Sequence, residues 1–213
     1  VPDSKYDYEG DFAYINTILY ANNTLYVGTV NRGLKRTSDV ENKDAAFTNV
    51  TIDGNTKFNV YDLQVNSLNQ IAVAYDGMVA VDDANGNFKV IFNSDADTEN
   101  PFNARGFGKI KLAYATKNPN DLFIFASANY NTQPYKPTDN GLIYGVYRPY
   151  REKIGGTVAN DASLYTLAPT SNNWFNITTT SMALLAGSSL QYGMSIVVDD
   201  RTEGDEIVYL GGN

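Results

Sequence analysis

The chain has 213 residues, 43% of them apolar and 13% aromatic, with 24 Asp and Glu against 16 Lys and Arg and a formal charge of −8. That length and apolar content suffice for a sizeable core in one all-β unit, and the negative surface disfavours nucleic acid and anionic membranes. The absence of both His and Cys rules out a Ser-His-Asp or Cys-His catalytic group within the chain, and any zinc site built on those ligands.

In chain order, the first expected unit opens with strand Ile15–Tyr20, turns at Ala21-Asn22-Asn23, and returns through Thr24–Gly28. A Gly-containing turn, Asn31-Arg32-Gly33, leads to Leu34–Thr37, and an aromatic-led fourth strand begins at Phe47. The second unit repeats this order: Val60–Val65, the Asn66–Asn69 turn, Gln70–Ala74, Tyr75-Asp76-Gly77, Met78–Val81 and Phe88–Phe92. In the third, Ile110–Thr116 and Asp121–Phe125 flank Asn118-Pro119-Asn120, and the fourth strand begins at Trp174. The last unit holds Met194–Val198 and Glu206–Leu210. Branched and aromatic side chains suit a pleated surface, and Asn, Asp, Gly and Pro at the junctions supply the conformations that tight turns need.

The second strands of these units carry Leu25, Leu122 and, at the matching place, Ile71 and Ile207. A recurrence of roughly 40–50 residues with four strands per unit, broken only in the third unit, is the period of a propeller blade. The expected fold is therefore all-β: a β-propeller-like series of four-stranded antiparallel blades over residues 13–53, 58–92, 109–178 and an incomplete 192–213. About three and a half blades would leave open sheet edges. The expectation is that the protein continues beyond this chain; the alternative pairs Lys5–Tyr8 with the last blade. The only helical signal is a short turn within Ser181–Leu190. No apolar run is long enough for a membrane-spanning helix, and a chain starting at Val1 reads as processed.

Several segments resemble degenerate Asp-box (BNR) repeats, whose pattern is Ser/Thr-x-Asp-x-Gly-x-Thr-Trp/Phe. Gly33–Asp39 resembles the strand and turn entering such a box, with Phe47 as a displaced aromatic. Asp83-Ala84-Asn85-Gly86-Asn87-Phe88 keeps Asp, Gly and the aromatic with one residue too many between Asp and Gly. Pro169–Trp174 keeps the turn and Trp, and Asn118–Phe123 is similar to the junction between the first two strands of such blades. The resemblance implies a propeller of the kind found in sialidases, xyloglucan hydrolases, sortilin-type receptors and photosystem assembly factors. It does not fix the chemistry.

The acidic pairs Asp82/Asp83, Asp95/Asp97 and Asp199/Asp200 are candidates for the carboxylates of a glycoside hydrolase or for Ca²⁺ ligands. All sit in expected turns, where Asp is favoured for its backbone hydrogen bonds. The six arginines, Arg32, Arg36, Arg105, Arg148, Arg151 and Arg201, lack the Arg-Ile-Pro motif of sialidases. Sequons at Asn22, Asn49 and Asn176 occur at the frequency that an Asn-, Ser- and Thr-rich chain produces by chance. No metal site and no cofactor is called for.

The third unit carries an insertion at about 129–161, in which Leu142–Arg148 alternates like a strand, so that an extra hairpin is expected there. It holds Tyr130, Tyr135, Tyr147, Arg148, Tyr150 and Arg151, residue types enriched at interface hot spots. Strand alternation puts this insertion on the face that carries the long segments Asn93–Lys109 and Thr179–Gln191. Phe102 and Arg105 join it there. This loop-rich top face is the expected binding surface for protein or glycan. The bland alternative is that the tyrosines pack the extra hairpin. The sequence reading is a non-enzymatic extracellular, cell-surface or periplasmic binding or scaffold module. The alternatives are a glycoside hydrolase with a carboxylate pair across the propeller cleft, and a structural subunit of a cell-surface machine whose neighbour, or the rest of its own ring, covers the open edges.

Overall fold

The computed structural model describes residues 10, 12, 14–83, 85–93, 107–128, 143–149, 153–154, 157–158, 174–176, 194–201 and 207–211. Among the described residues every regular element is a strand, and no helix is long and apolar enough to cross a membrane.

The first sheet is β1 (Ile15–Ala21), β2 (Thr24–Thr29), β3 (Leu34–Thr37) and β4 (Thr48–Asn49), hydrogen-bonded in chain order. The second repeats it with β5 (Val60–Val65), β6 (Ile71–Tyr75), β7 (Met78–Asp82) and β8 (Phe88–Asn93). The third begins with β9 (Phe107–Tyr114) and β10 (Leu122–Ala128), continues with β11 (Ile143–Pro149), and is completed by β14 (Trp174–Asn176). Between its last two strands lies a small hairpin, β12 (Lys153–Ile154) with β13 (Thr157–Val158). The series ends with the paired strands β15 (Ser195–Asp199) and β16 (Ile207–Gly211). All strand pairs are antiparallel.

Two details correct the sequence reading. The expected strand at Leu142–Arg148 is found as β11, but not in an extra hairpin: β11 pairs with β10 and with β14, and so is the third strand of its own sheet. The added chain is thus split, one part between β10 and β11 and a longer part between β11 and β14. In the last unit the residue facing the preceding sheet is Val208, while Ile207 is exposed; the repeat is displaced by one position there, which in a strand exchanges faces.

The register of the aromatic-led strands is as expected. Phe88 stands opposite Asp82 and Trp174 opposite Pro149. Thr48 stands opposite Arg36, so one step along Phe47 reaches Thr37, the equivalent place. Asn22, Asn23, Asn31, Asn69 and Asp76 hold positive φ in the tight turns, as Asn and Asp do more readily than other side chains.

Sheets stack in order, and each contact joins unlike faces. The back of the first sheet, including Ala21, Tyr26 and Leu34, packs on Leu63, Ile71 and Val73 of the second. The back of the second (Ala72, Ala74, Val79, Val81) packs on Ile110, Leu112, Leu122 and Ile124. Phe123 and Phe125 on the back of the third meet Ile196, Val198, Val208 and Leu210. Gly28 permits the first contact, since a Cβ there would stand 2.5 Å from Val60 Cγ1.

The leading strands adjoin one another in the order β1, β5, β9, β15. Side chains stitch them at register irregularities. Asn16, at the shift in β1, donates to the Val60 carbonyl at 2.8 Å, and Asp62, at the shift in β5, accepts from the Leu112 N–H at 2.9 Å. A second series links the turns after the leading strands. Asn22 Nδ2 donates to the Asn69 carbonyl (2.8 Å), Asn66 Nδ2 to the Pro119 carbonyl (2.9 Å), and Lys117 Nζ to the Arg201 carbonyl (2.7 Å), with the Lys117 N–H also reaching Asp200.

Candidate functional site

Strand direction assigns every connection to one of two ends of the stack. Ala128 pairs with Phe107 and Ser127 with Ile143, so residues 94–106 and 129–142 join the third sheet at the same end. β14 runs from Trp174 opposite Pro149 to Asn176 opposite Tyr147, so the connection into β15 leaves towards that end as well. Three long connections therefore share one end, here called the upper end, with the Asn31–Gly33 and Asp76–Gly77 turns. Phe102, Arg105, Tyr130 and Tyr135 belong to them by sequence, and all four lie outside the described residues.

The remaining predicted residues divide. Tyr147 and Arg148 are in β11, opposite Asn176 and Phe175. They belong to the sheet's third strand rather than to an inserted loop. Tyr150 and Arg151 lie outside the described residues, in the connection that departs after Pro149. That departure is at the lower end, beside the start of β10. Six residue steps of strand separate the two ends of β11, about 20 Å. The one rim expected from the sequence is thus attached to the sheet at both ends.

The described part of the upper end is polar and partly buried. Lys111 Nζ on β9 lies 3.4 Å from Asp62 Oδ1 and 3.4 Å from the Tyr61 carbonyl on β5. Burial, and then the neighbouring Lys111 charge, pull the Lys109 ammonium below the ordinary lysine range. Burial pushes the Tyr61 phenol up, with the Asp76 carboxylate adding to it. Asp76 Oδ1 accepts from Asn59 Nδ2 at 2.8 Å and from the Asn59 N–H at 3.2 Å, which ties the β6–β7 turn to the segment entering β5. Tyr75, also raised by burial, is packed on Phe58 with ring centroids 4.8 Å apart. The sequence reading did not single out Tyr61, Lys109 or Lys111. The signal of the two lysines is charge within an otherwise apolar leading strand.

Each described carboxylate proposed for hydrolysis or Ca²⁺ binding is engaged in local structure. Asp82, buried, accepts from the Ile71 N–H at 2.6 Å. Asp83 caps its turn, accepting from the Asn85 and Asn87 N–H groups at 2.9 and 3.2 Å and from Asn87 Nδ2 at 3.0 Å. The Asn87 side chain foremost, then the Asn85 N–H, lower its pKa. Asp199 holds Arg201 at 2.6–2.9 Å, and that guanidinium is the main reason its carboxyl is lowered to about 2. Asp200 is buried against the Lys117 N–H. Asp95 and Asp97 lie outside the described residues. The Asp-box-like segment at Asp83 is, in this geometry, a hydrogen-bonded turn.

A small space between the second and third sheets, about 10 Å³, is lined by Asn66, Gln70, Tyr114 and Leu122 among others. It has room for one water at most. No family model and no curated protein matches this chain.

Proposed function

We propose that this chain is a β-propeller-type scaffold of the Asp-box-like kind, placed outside the cell, on its surface or in the periplasm. It binds protein or glycan at its upper end without chemistry. The observation that carries the reading is that the strand ends from which three long connections leave share one end of a stack whose leading strands adjoin in sequence. A rigid stack presenting long loops at one end is the usual division of labour between scaffold and binding surface. Adjoining leading strands are also the arrangement that lines the axis of a propeller. Use of the described turn carboxylates as caps and links supports binding over glycoside hydrolysis. Phe102, Arg105, Tyr130 and Tyr135 are the contact residues in this reading, with Tyr147 and Arg148 in the strand between. Tyr150 and Arg151 attach at the lower end and form an internal control.

The test is a glycan array and a capture of cell-envelope proteins by the immobilised chain. Replacing Tyr130 and Tyr135 together by Ala should abolish retention of the ligand that the unaltered chain holds, and should leave the thermal midpoint in place. Replacing Tyr150 and Arg151 should leave binding intact. Equal loss in both variants, or release of new reducing ends from a bound glycan, would overturn the proposal.

A further inference from the structure

The chain contains two Asn-Gly pairs, Asn85-Gly86 and Asn140-Gly141, and the second lies outside the described residues. Asn85-Gly86 is in the turn between β7 and β8, closed by the Asp83 N–H donating to the Asn87 carbonyl at 3.1 Å. Asp82 stands opposite Phe88 at its base, at the lower end of the second sheet. Asn85 is exposed, and among the described residues its side chain makes one hydrogen bond, from Nδ2 to the Asp83 carbonyl at 3.3 Å. That is longer than the usual range. The Asn85 and Asn87 N–H groups are both tied to Asp83 Oδ1. The Gly86 N–H between them makes no hydrogen bond among the described residues. Gly86 holds a φ of 83° and, lacking a Cβ, leaves its nitrogen open to approach by the preceding side chain.

We infer that Asn85 is a site of spontaneous covalent modification, converting through a cyclic imide with Gly86 to a mixture of aspartate and isoaspartate while the chain stays folded. The Gly86 nitrogen attacks Asn85 Cγ. An N–Cγ bond forms, the Cγ–Nδ2 bond breaks, and Nδ2 leaves as ammonia with the proton that the Gly86 nitrogen gives up. Water then adds to either imide carbonyl and opens the ring. One opening gives aspartate; the other routes the main chain through the former side chain and adds a methylene to the backbone. Water is the sole co-reactant. The setting favours the product. A Cβ at Gly86 would collide with Arg36 Nη1, so a guanidinium from the first sheet lies against the turn and the new carboxylate forms beside a cation. The lengthened backbone cannot keep both N–H groups on Asp83 Oδ1, so conversion loosens the turn. Asp53-Gly54 and Asp76-Gly77 also place glycine at positive φ, but a carboxylate is a poorer electrophile than an amide, and Asp76 Oδ1 is held by Asn59. The site is at the lower end, and is therefore independent of the ligand reading above.

The test is mass spectrometry of the unaltered chain, kept folded in warm, mildly alkaline buffer and sampled over days beside a portion unfolded in urea. Tryptic peptide 58–89 carries the pair. From the folded chain it should gain the mass by which a hydroxyl exceeds an amino group, with fragment ions placing the gain at Asn85. Isoaspartyl methyltransferase should label the same peptide. Asn85→Gln, whose longer side chain closes the ring far more slowly, should lose both signals and keep its circular dichroism spectrum, because the position faces solvent. A peptide that converts in urea but stays intact in the folded chain would overturn the inference, since the fold would then protect the pair. So would fragment ions that place the gain at another residue, or an equal gain in Asn85→Gln.

Discussion

Asp82 and Asp199 are both acidic residues next to turns, yet they do different work. Asp82 is buried, and its carboxylate holds the first N–H of β6 at 2.6 Å. Losing the acceptor would leave a buried donor without its partner, which costs about 1–3 kcal/mol. Asp82→Ala should therefore lower the urea midpoint with an unchanged slope, whereas an unchanged midpoint would show that water replaces the carboxylate. Asp199 is partly buried, and its hydrogen bonds from Arg201 lower its carboxyl from 3.8 to about 2. A depressed folded-state pKa means that the link's contribution is complete above the unfolded value. It is lost as pH falls from 3.8 through about 2. Carboxyl carbon shifts followed by NMR should give Asp199 a midpoint near 2, and Arg201→Gln should move it up towards 3.8. A midpoint insensitive to that substitution would assign the shift to another cause.

Within the elements, legibility in the sequence followed local chemistry. The β1–β2, β5–β6 and β6–β7 turns were readable because Asn and Asp take positive φ there, and the strands beside them alternate or run apolar. The β11 strand was legible from its alternation, but its place as third strand of its sheet was not, because fourteen residues separate it from β10 and a strand that pairs at a distance has no nearby turn signal. The one-residue displacement in β16 was not readable either, since Ile207 and Val208 are equivalent in propensity and only packing chooses between them. Carboxylates were readable as turn formers. Their partners across sheets, such as the Leu112 N–H for Asp62, were not, because those contacts depend on how sheets stack. Sheet stacking is itself testable at Gly28. A methyl there would press on Val60 Cγ1 and Thr17 Cγ2, and overpacking of this sort costs about 1–3 kcal/mol. Gly28→Ala should destabilise the chain, and adding Val60→Ala should cost less than the two single losses added together. Strict additivity would mean that the methyl is accommodated elsewhere.

At the scale of the whole molecule, the core is three apolar clusters in series rather than one centre. The second and third sheets are covered on both faces, by the first and second clusters and by the second and third. Among the described residues, the β1 side of the first sheet's front and the back of the β15–β16 pair are exposed, at Ile18, Tyr20, Val197 and Tyr209. In a stack where each unit touches its neighbours alone, stability is a sum of unit and interface terms, so end units open at lower cost than inner ones. Hydrogen exchange should therefore show a gradient. Amides of Val73, Ala74, Leu112 and Ile124 should exchange slowest, near the rate of global unfolding, and those of β1 and β16 should exchange through smaller openings. Phe125, fully buried at the third interface, gives the decisive variant: truncation of a buried Phe to Ala costs about 3–5 kcal/mol. Phe125→Ala should accelerate exchange in β15 and β16 far more than in β1 and β2. Equal acceleration along the whole chain would mean that the clusters unfold as one cooperative unit, and that the sheets are not energetically in series.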